Sequence, residues 1–142
     1  MGIFLKTAEE IRKMTEGGRK LAKIKNKLMT AIDEGTTAFE VDRLADELIK
    51  EEGGSPSFKM VPGYHWATCV NVNEGVVHGI PKQSIVFKSW DIVSVDVGMY
   101  YDGFHTDTSF SKGINPDKQL KMFLQSGENA LKAGISQIKE GN

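Results

Sequence analysis

The sequence predicts an α+β fold, an antiparallel sheet with helices on one of its faces. Three observations carry this reading. Two threonine-led capping boxes each open a segment whose apolar residues recur at three- and four-residue steps. An Asp-Gly pair divides two runs of strand-forming residues, and a third amphipathic run follows an Asn-Pro pair. The order helix, helix, strands, helix suits a layer of helices laid on an antiparallel sheet.

The first helix opens at Thr7-Ala-Glu-Glu10, where the threonine hydroxyl and the glutamate carboxylate can satisfy each other's backbone donors. Ile11, Met14, Gly18, Leu21, Leu28 and Ile32 form one apolar face. Gly17-Gly18 weakens the helix but lets a neighbour approach, and Gly35 is a stop signal. A second box, Thr37-Ala-Phe-Glu40, opens a helix with Val41, Leu44, Ala45, Leu48 and Ile49 along one stripe. Gly53-Gly54-Ser55-Pro56 ends it and starts a loop. Trp66 to Val72 reads as a strand, and Gly75 to Pro81 as a second short extended piece. Asn115-Pro116 then caps a last helix whose apolar face is Leu120, Leu124, Gly127, Leu131, Ile135 and Ile138. No repeat of the length typical of solenoids is present.

Between these lies a predicted hairpin, residues 91–111. Asp102-Gly103 is a strong turn signal, because both central residues of a type I′ turn need positive φ. A two-residue loop pairs Tyr101 with Phe104. Gly98 then lies opposite Asp107, and Asp96 opposite Ser109. Alternation puts Asp96, Gly98, Asp107 and Ser109 on one face and Val93, Val95 and Val97 on the other. The two aspartates become diagonal neighbours, with backbones roughly 7–8 Å apart. Two carboxylates so close are unfavourable unless a cation sits between them or water surrounds both. Both readings of the pair stand on spacing alone. The apolar strand around Asp96 favours a pocket, and Gly98 leaves room for something to approach. His105 shares the aspartate face.

Composition narrows the classes. The 142 residues are enough for one domain, 1–142, with a real core. Hydrophobic content of 39% and charged content of 26% are ordinary for a globular protein. A net charge of −1 argues against a nucleic-acid surface. Lys20, Lys23, Lys25 and Lys27 read as a solvated helix face. A lone cysteine, Cys69, cannot form an intramolecular disulfide and fits a reducing compartment. No secretory leader or membrane-length apolar run appears. Met1-Gly2 begins like an acylation signal, but Lys6 stands where Ser or Thr is needed. The expectation is a cytoplasmic protein.

The stretch 58–81 adds a second cluster. It reads Phe58, Gly63-Tyr64, Cys69, Asn73-Glu74, and His78-Gly79-Ile80-Pro81. Taken singly, His78 fits a structural or a catalytic role, Cys69 a small core residue, and Tyr64 a packing aromatic. Together with two aspartates separated by ten residues, this run resembles type I methionine aminopeptidases. The His-Gly-Ile-Pro motif with those aspartates distinguishes that branch from prolidases and creatinases, which are similar in fold. The resemblance covers essentially the whole chain.

The resemblance implies half of a pita-bread fold and removal of N-terminal methionine from nascent peptides. It implies that Asp96 chelates one divalent ion and Asp107 bridges two, with manganese, cobalt or iron as candidates. It implies that His78 contacts the scissile peptide and stabilises the tetrahedral intermediate. Tyr64 and Cys69 would line the methionine pocket, with His78 also touching substrate. His65 stands where the family has proline, and Met60-Val61 replace a segment that often supplies an aromatic. His65 matches no family role, and His105 reads as supporting or solvated. The family's second half contributes a histidine and two glutamates, which residues up to Asn142 do not include. Three completions are therefore expected: a complementing C-terminal half, a homodimer, or use of the fold as a non-catalytic peptide- or protein-binding module.

Overall fold

The computed structural model describes residues 3–142. Met1 and Gly2, where the acylation-like start falls, lie outside the described residues. The elements are α1 (Ala8–Ala31), α2 (Ala38–Glu51), β1 (Ser55–Pro56), a 3-10 turn (Phe58–Met60), β2 (Thr68–Val72), β3 (Ile92–Tyr101), β4 (Phe104–Gly113) and α3 (Lys118–Ser136).

Both capping boxes form as the sequence predicts. Thr7 accepts from the N–H of Glu10 and Thr37 from that of Glu40, while each glutamate reaches back to its threonine. Helix α1 ends at Ala31, short of Gly35, whose φ of +85° serves the following turn. No basic residue lies in its last turn, but Lys112 of β4 supplies the missing charge. Its Nζ donates to the carbonyls of Met29 and Ile32 at 2.9 and 2.6 Å. A cation there satisfies orphan carbonyls and opposes the negative end of the helix dipole.

Strand β3 is the centre of the sheet. Along one side it pairs with β4 over its full length; along the other it pairs with β2 and then β1, all antiparallel. The register matches expectation: Tyr101 opposite Phe104, Gly98 opposite Asp107, Asp96 opposite Ser109. Asp102 and Gly103 both have positive φ, at 46° and 91°, as a type I′ turn requires.

Alternation then separates two chemistries. Val93, Val95, Val97 and Met99 join Leu21, Ile24 and Leu28 of α1 and Val41, Ala45 and Ile49 of α2 in one core. Each Val, Leu, Ile or Met side chain among them, fully buried, contributes about 1.5–3 kcal/mol. Phe87 and Ile114 also enter this core from loops to which the sequence assigned no element. The opposite face carries Cys69, Asn71, Ser94, Asp96, His105, Asp107, Ser109 and Ser111, following the same registers.

Several expectations need correcting. Gly75 to Pro81 is not a strand; it is a loop bonded to β2 at its two ends, where the N–H of Gly75 donates to Val72 and the N–H of Val70 to Gly79. The extended residues of β2 begin at Thr68, not Trp66. Helix α3 is capped by Asp117, which accepts from the N–H of Leu120 at 2.8 Å, with Pro116 just before the cap. Its apolar face is not core, since no residue of α3 is buried. Lys20, too, is more than a solvated charge: it bonds Glu52 and lies 4.8 Å from the Tyr101 ring centroid.

Candidate functional site

Asp96 stands in the middle of β3, flanked by Cys69 of β2 on one side and Ser109 of β4 on the other. Asp107 lies one diagonal step away on β4. Asp107 meets solvent on part of its surface, yet the surrounding protein strips some of its hydration. That desolvation, with the Asp96 charge beside it, pushes its carboxyl up from 3.8 to about 6. Mutual destabilisation of two carboxylates is what a divalent cation would relieve. The oxygens that these two carboxylates offer from neighbouring strands are of the kind that suits a hard or borderline cation. Among the described residues no group of three or more His, Cys, Asp or Glu side chains converges, so the pair provides only part of a ligand sphere.

Tyr64 and Cys69 are brought together beside Asp96. The Tyr64 Oη donates to the carbonyl of Thr68 at 2.7 Å and lies 3.1 Å from Cys69 Sγ. Burial, the largest influence, raises both groups' pKa, and nearby aspartates add to it. Tyr64 therefore stays a phenol and Cys69 a thiol. Phe58, Tyr64 and Trp66 stand edge to face in series, with centroid separations of 6.3 and 5.4 Å. That leaves an aromatic wall with a small, soft sulfur at its base.

Gly98 has a different use from the one its position suggests. A Cβ there would sit 3.0 Å from both Phe58 Cε1 and Ser57 Cβ. The space is filled by the protein's own 3-10 turn. Ser57 is nearly buried; its N–H donates to Gly98 and its Oγ lies 2.9 Å from His105 Nδ1. His105 also stacks on Tyr100, 4.8 Å between centroids. Both His105 and His65 are exposed, but His105 is tied into the fold by these two partners, whereas His65 meets the Trp66 ring at 6.0 Å.

His78 sits in the loop after β2 with a φ of +56°, an uncommon conformation for a residue other than glycine. It shares an open cleft of about 1090 Å³ with Asn71, Ser94, Asp96 and Ser109. On the far side, Phe123, Leu124 and Leu131 of α3 form an apolar wall. Tyr64, Cys69 and Asp107 do not line this cleft; they adjoin it through Asp96.

A sequence profile decides the family. That of Metallopeptidase family M24 matches residues 12–142. The chain belongs to this family. Among M24 relatives it is 37% identical to methionine aminopeptidase 1 of Bacillus subtilis, over 98% of this chain and 56% of that protein. It is 33% identical to the methionine aminopeptidase of Mycoplasma capricolum, with the same two coverages. The crystal structure of methionine aminopeptidase from Thermotoga maritima superposes with a TM-score of 0.88 at 39% identity, covering 97% of this chain and 56% of that one. Prolidase from Pyrococcus furiosus shares the fold at a TM-score of 0.71 and 21% identity. This M24 chain spans about half the length of the curated relatives it matches. The expected half of a pita-bread fold is therefore the fold observed.

Two features of the site were not singled out in the sequence. Asn71 is on the aspartate face, a position that strand alternation alone could have given. Asp42 of α2 is buried beneath the start of β2, and no local pattern in a helix signals such a distant partner.

Proposed function

We propose that this chain supplies the first half of a metal-dependent methionine aminopeptidase site acting on N-terminal methionine of nascent peptides. The observation that carries the proposal is the Asp96–Asp107 pair on a rigid hairpin, with Tyr64, Cys69 and His78 around it. Asp96 and Asp107 would hold divalent cations such as manganese, cobalt or iron. When bound, such ions activate water and polarise the scissile carbonyl.

The remaining chemistry belongs to the chain. Cys69 and Tyr64, both neutral, offer an unbranched thioether a soft, partly apolar wall. Anchoring of the Tyr64 hydroxyl on Thr68 keeps that wall from collapsing into the space. His78 donates a ring N–H toward the peptide and stabilises the charge that develops on its carbonyl oxygen. Residues 1–142 act in this reading as one domain completed by a second polypeptide half. A reducing, cytoplasmic location suits the free Cys69 thiol.

The test is methionine release from Met-Ala-Ser with manganese present, by this chain mixed with the C-terminal half of the Thermotoga maritima relative. Release that disappears in Asp107→Asn supports the proposal. A folded, associated pair that releases nothing contradicts it.

A further inference from the structure

We infer that Asn71 is a positioning residue for His78, acting through the Gly79 amide; the functional part of this inference rests on the role proposed for His78. The loop that carries His78 hangs between two asparagine side chains. At its start, Asn73 Oδ1 accepts from the N–H of Ile92 at 2.9 Å, and its Nδ2 donates to Asp91 at 2.8 Å. At its end, Asn71 Oδ1 accepts from the N–H of Gly79 at 3.0 Å. Only the carbonyl oxygen of an amide can accept there, so the orientation of the Asn71 carboxamide is fixed.

A second bond completes the clamp. The N–H of Val70 donates to the Gly79 carbonyl at 2.9 Å. Both polar groups of Gly79 are thus held against β2, immediately after His78. The approach is so close that a Cβ on Gly79 would fall 2.1 Å from the Val70 carbonyl oxygen and 2.6 Å from Asn71 Oδ1. His78 itself is exposed, and its backbone is at positive φ. A residue in that region persists only where its surroundings determine it. Here the surroundings are the two ends of the loop, and Asn71 is the side chain at the end beside His78.

Asn71 is also suitably placed to do this without entering the core. It is 8% exposed, lies opposite Ser94 in the register and borders the cleft with His78 and Asp96. Its orientation follows the strand that carries the site. His78 is therefore referenced to the strand bearing Cys69 and, through one pairing, to Asp96.

The test uses the isotopically labelled full chain with Asn71→Ala and Asn71→Asp. Asn71→Asp keeps an acceptor at the same reach; Asn71→Ala removes it. In Asn71→Ala, Gly79 amide exchange should accelerate about ten-fold, roughly the worth of one net hydrogen bond. The His78 ring resonances should shift and average, while the Val93 and Val95 amides keep their protection. Asn71→Asp should restore both signals. Should Asn71→Ala fail to fold, Asn71→Ser, whose hydroxyl is too short to reach Gly79, replaces it with the same expectation. Unchanged His78 resonances in a folded variant lacking the acceptor would overturn the inference. In the complemented assay, Asn71→Ala should lower kcat with KM little changed. A wild-type pair without activity would count against the proposed function alone, because the ring and exchange readouts do not depend on turnover.

Discussion

Asp42 Oδ1 accepts hydrogen bonds from both the backbone N–H and the hydroxyl of Thr68, at 2.9 and 2.8 Å, and a third from the N–H of Ala67. One carboxylate of α2 thereby fixes the first turn of chain into β2, and Thr68 in turn receives the Tyr64 hydroxyl. Burial raises the Asp42 pKa despite these three donors, so its charge is costly and its acceptor oxygen is what matters. Asp42→Ala strands buried donors and should destabilise by about 2–4 kcal/mol, whereas Asp42→Asn should cost about 1 kcal/mol or less. Urea unfolding of the two variants distinguishes them.

The raised Asp107 carboxyl sets a pH dependence. Its folded value of about 6 exceeds the ordinary 3.8, so the folded chain holds this proton more tightly than the unfolded chain. Its stabilising contribution is present below about pH 4 and is lost as pH rises to about 6. Asp107→Asn should flatten that part of the stability profile without lowering stability at neutral pH. Because a cation must displace the same proton, manganese affinity should rise from about pH 5 and level off above about pH 6. Thermal melts and manganese titrations across this range check both halves.

Gly98 keeps the 3-10 turn on the sheet. Gly98→Ala places a methyl 3.0 Å from Ser57 and Phe58, and the turn must move outward. The cost should be about 1–3 kcal/mol, as for other overpacked sites. The 2.9 Å contact between Ser57 and His105 should break with it, visible as a change in the His105 ring signals.

Helix α3 should behave unlike α1. Phe123, Leu131 and Ile135 are 65%, 65% and 57% exposed, so a serine at any of them should change the isolated chain's stability by no more than about 0.5 kcal/mol. Leu28 is fully buried, and Leu28→Ala should cost about 2–5 kcal/mol. Denaturant midpoints of the four variants give the comparison.

The hairpin was legible because its determinants are local. Asp102-Gly103 sets the turn, and alternation then assigns faces to Asp96, Asp107 and the valines. The capping threonines were legible for the same reason. What escaped depends on distant partners. Lys112 occupies a core-face position in the register, and only the end of α1 explains a cation there. His78 looked like part of a strand because Val76-Val77 precede it, but two asparagine side chains take the place of a ladder. The apolar stripe of α3 follows a helical period that says which side is apolar and nothing of what covers it.

Titration of manganese into the folded chain, by calorimetry at neutral pH, tests the role of the aspartate face most directly. Saturable binding that is abolished in both Asp96→Asn and Asp107→Asn, with Asp91→Asn unaffected, is the expected result. Binding that survives in both variants, or no binding by the wild-type chain, would contradict a metal site built on this pair.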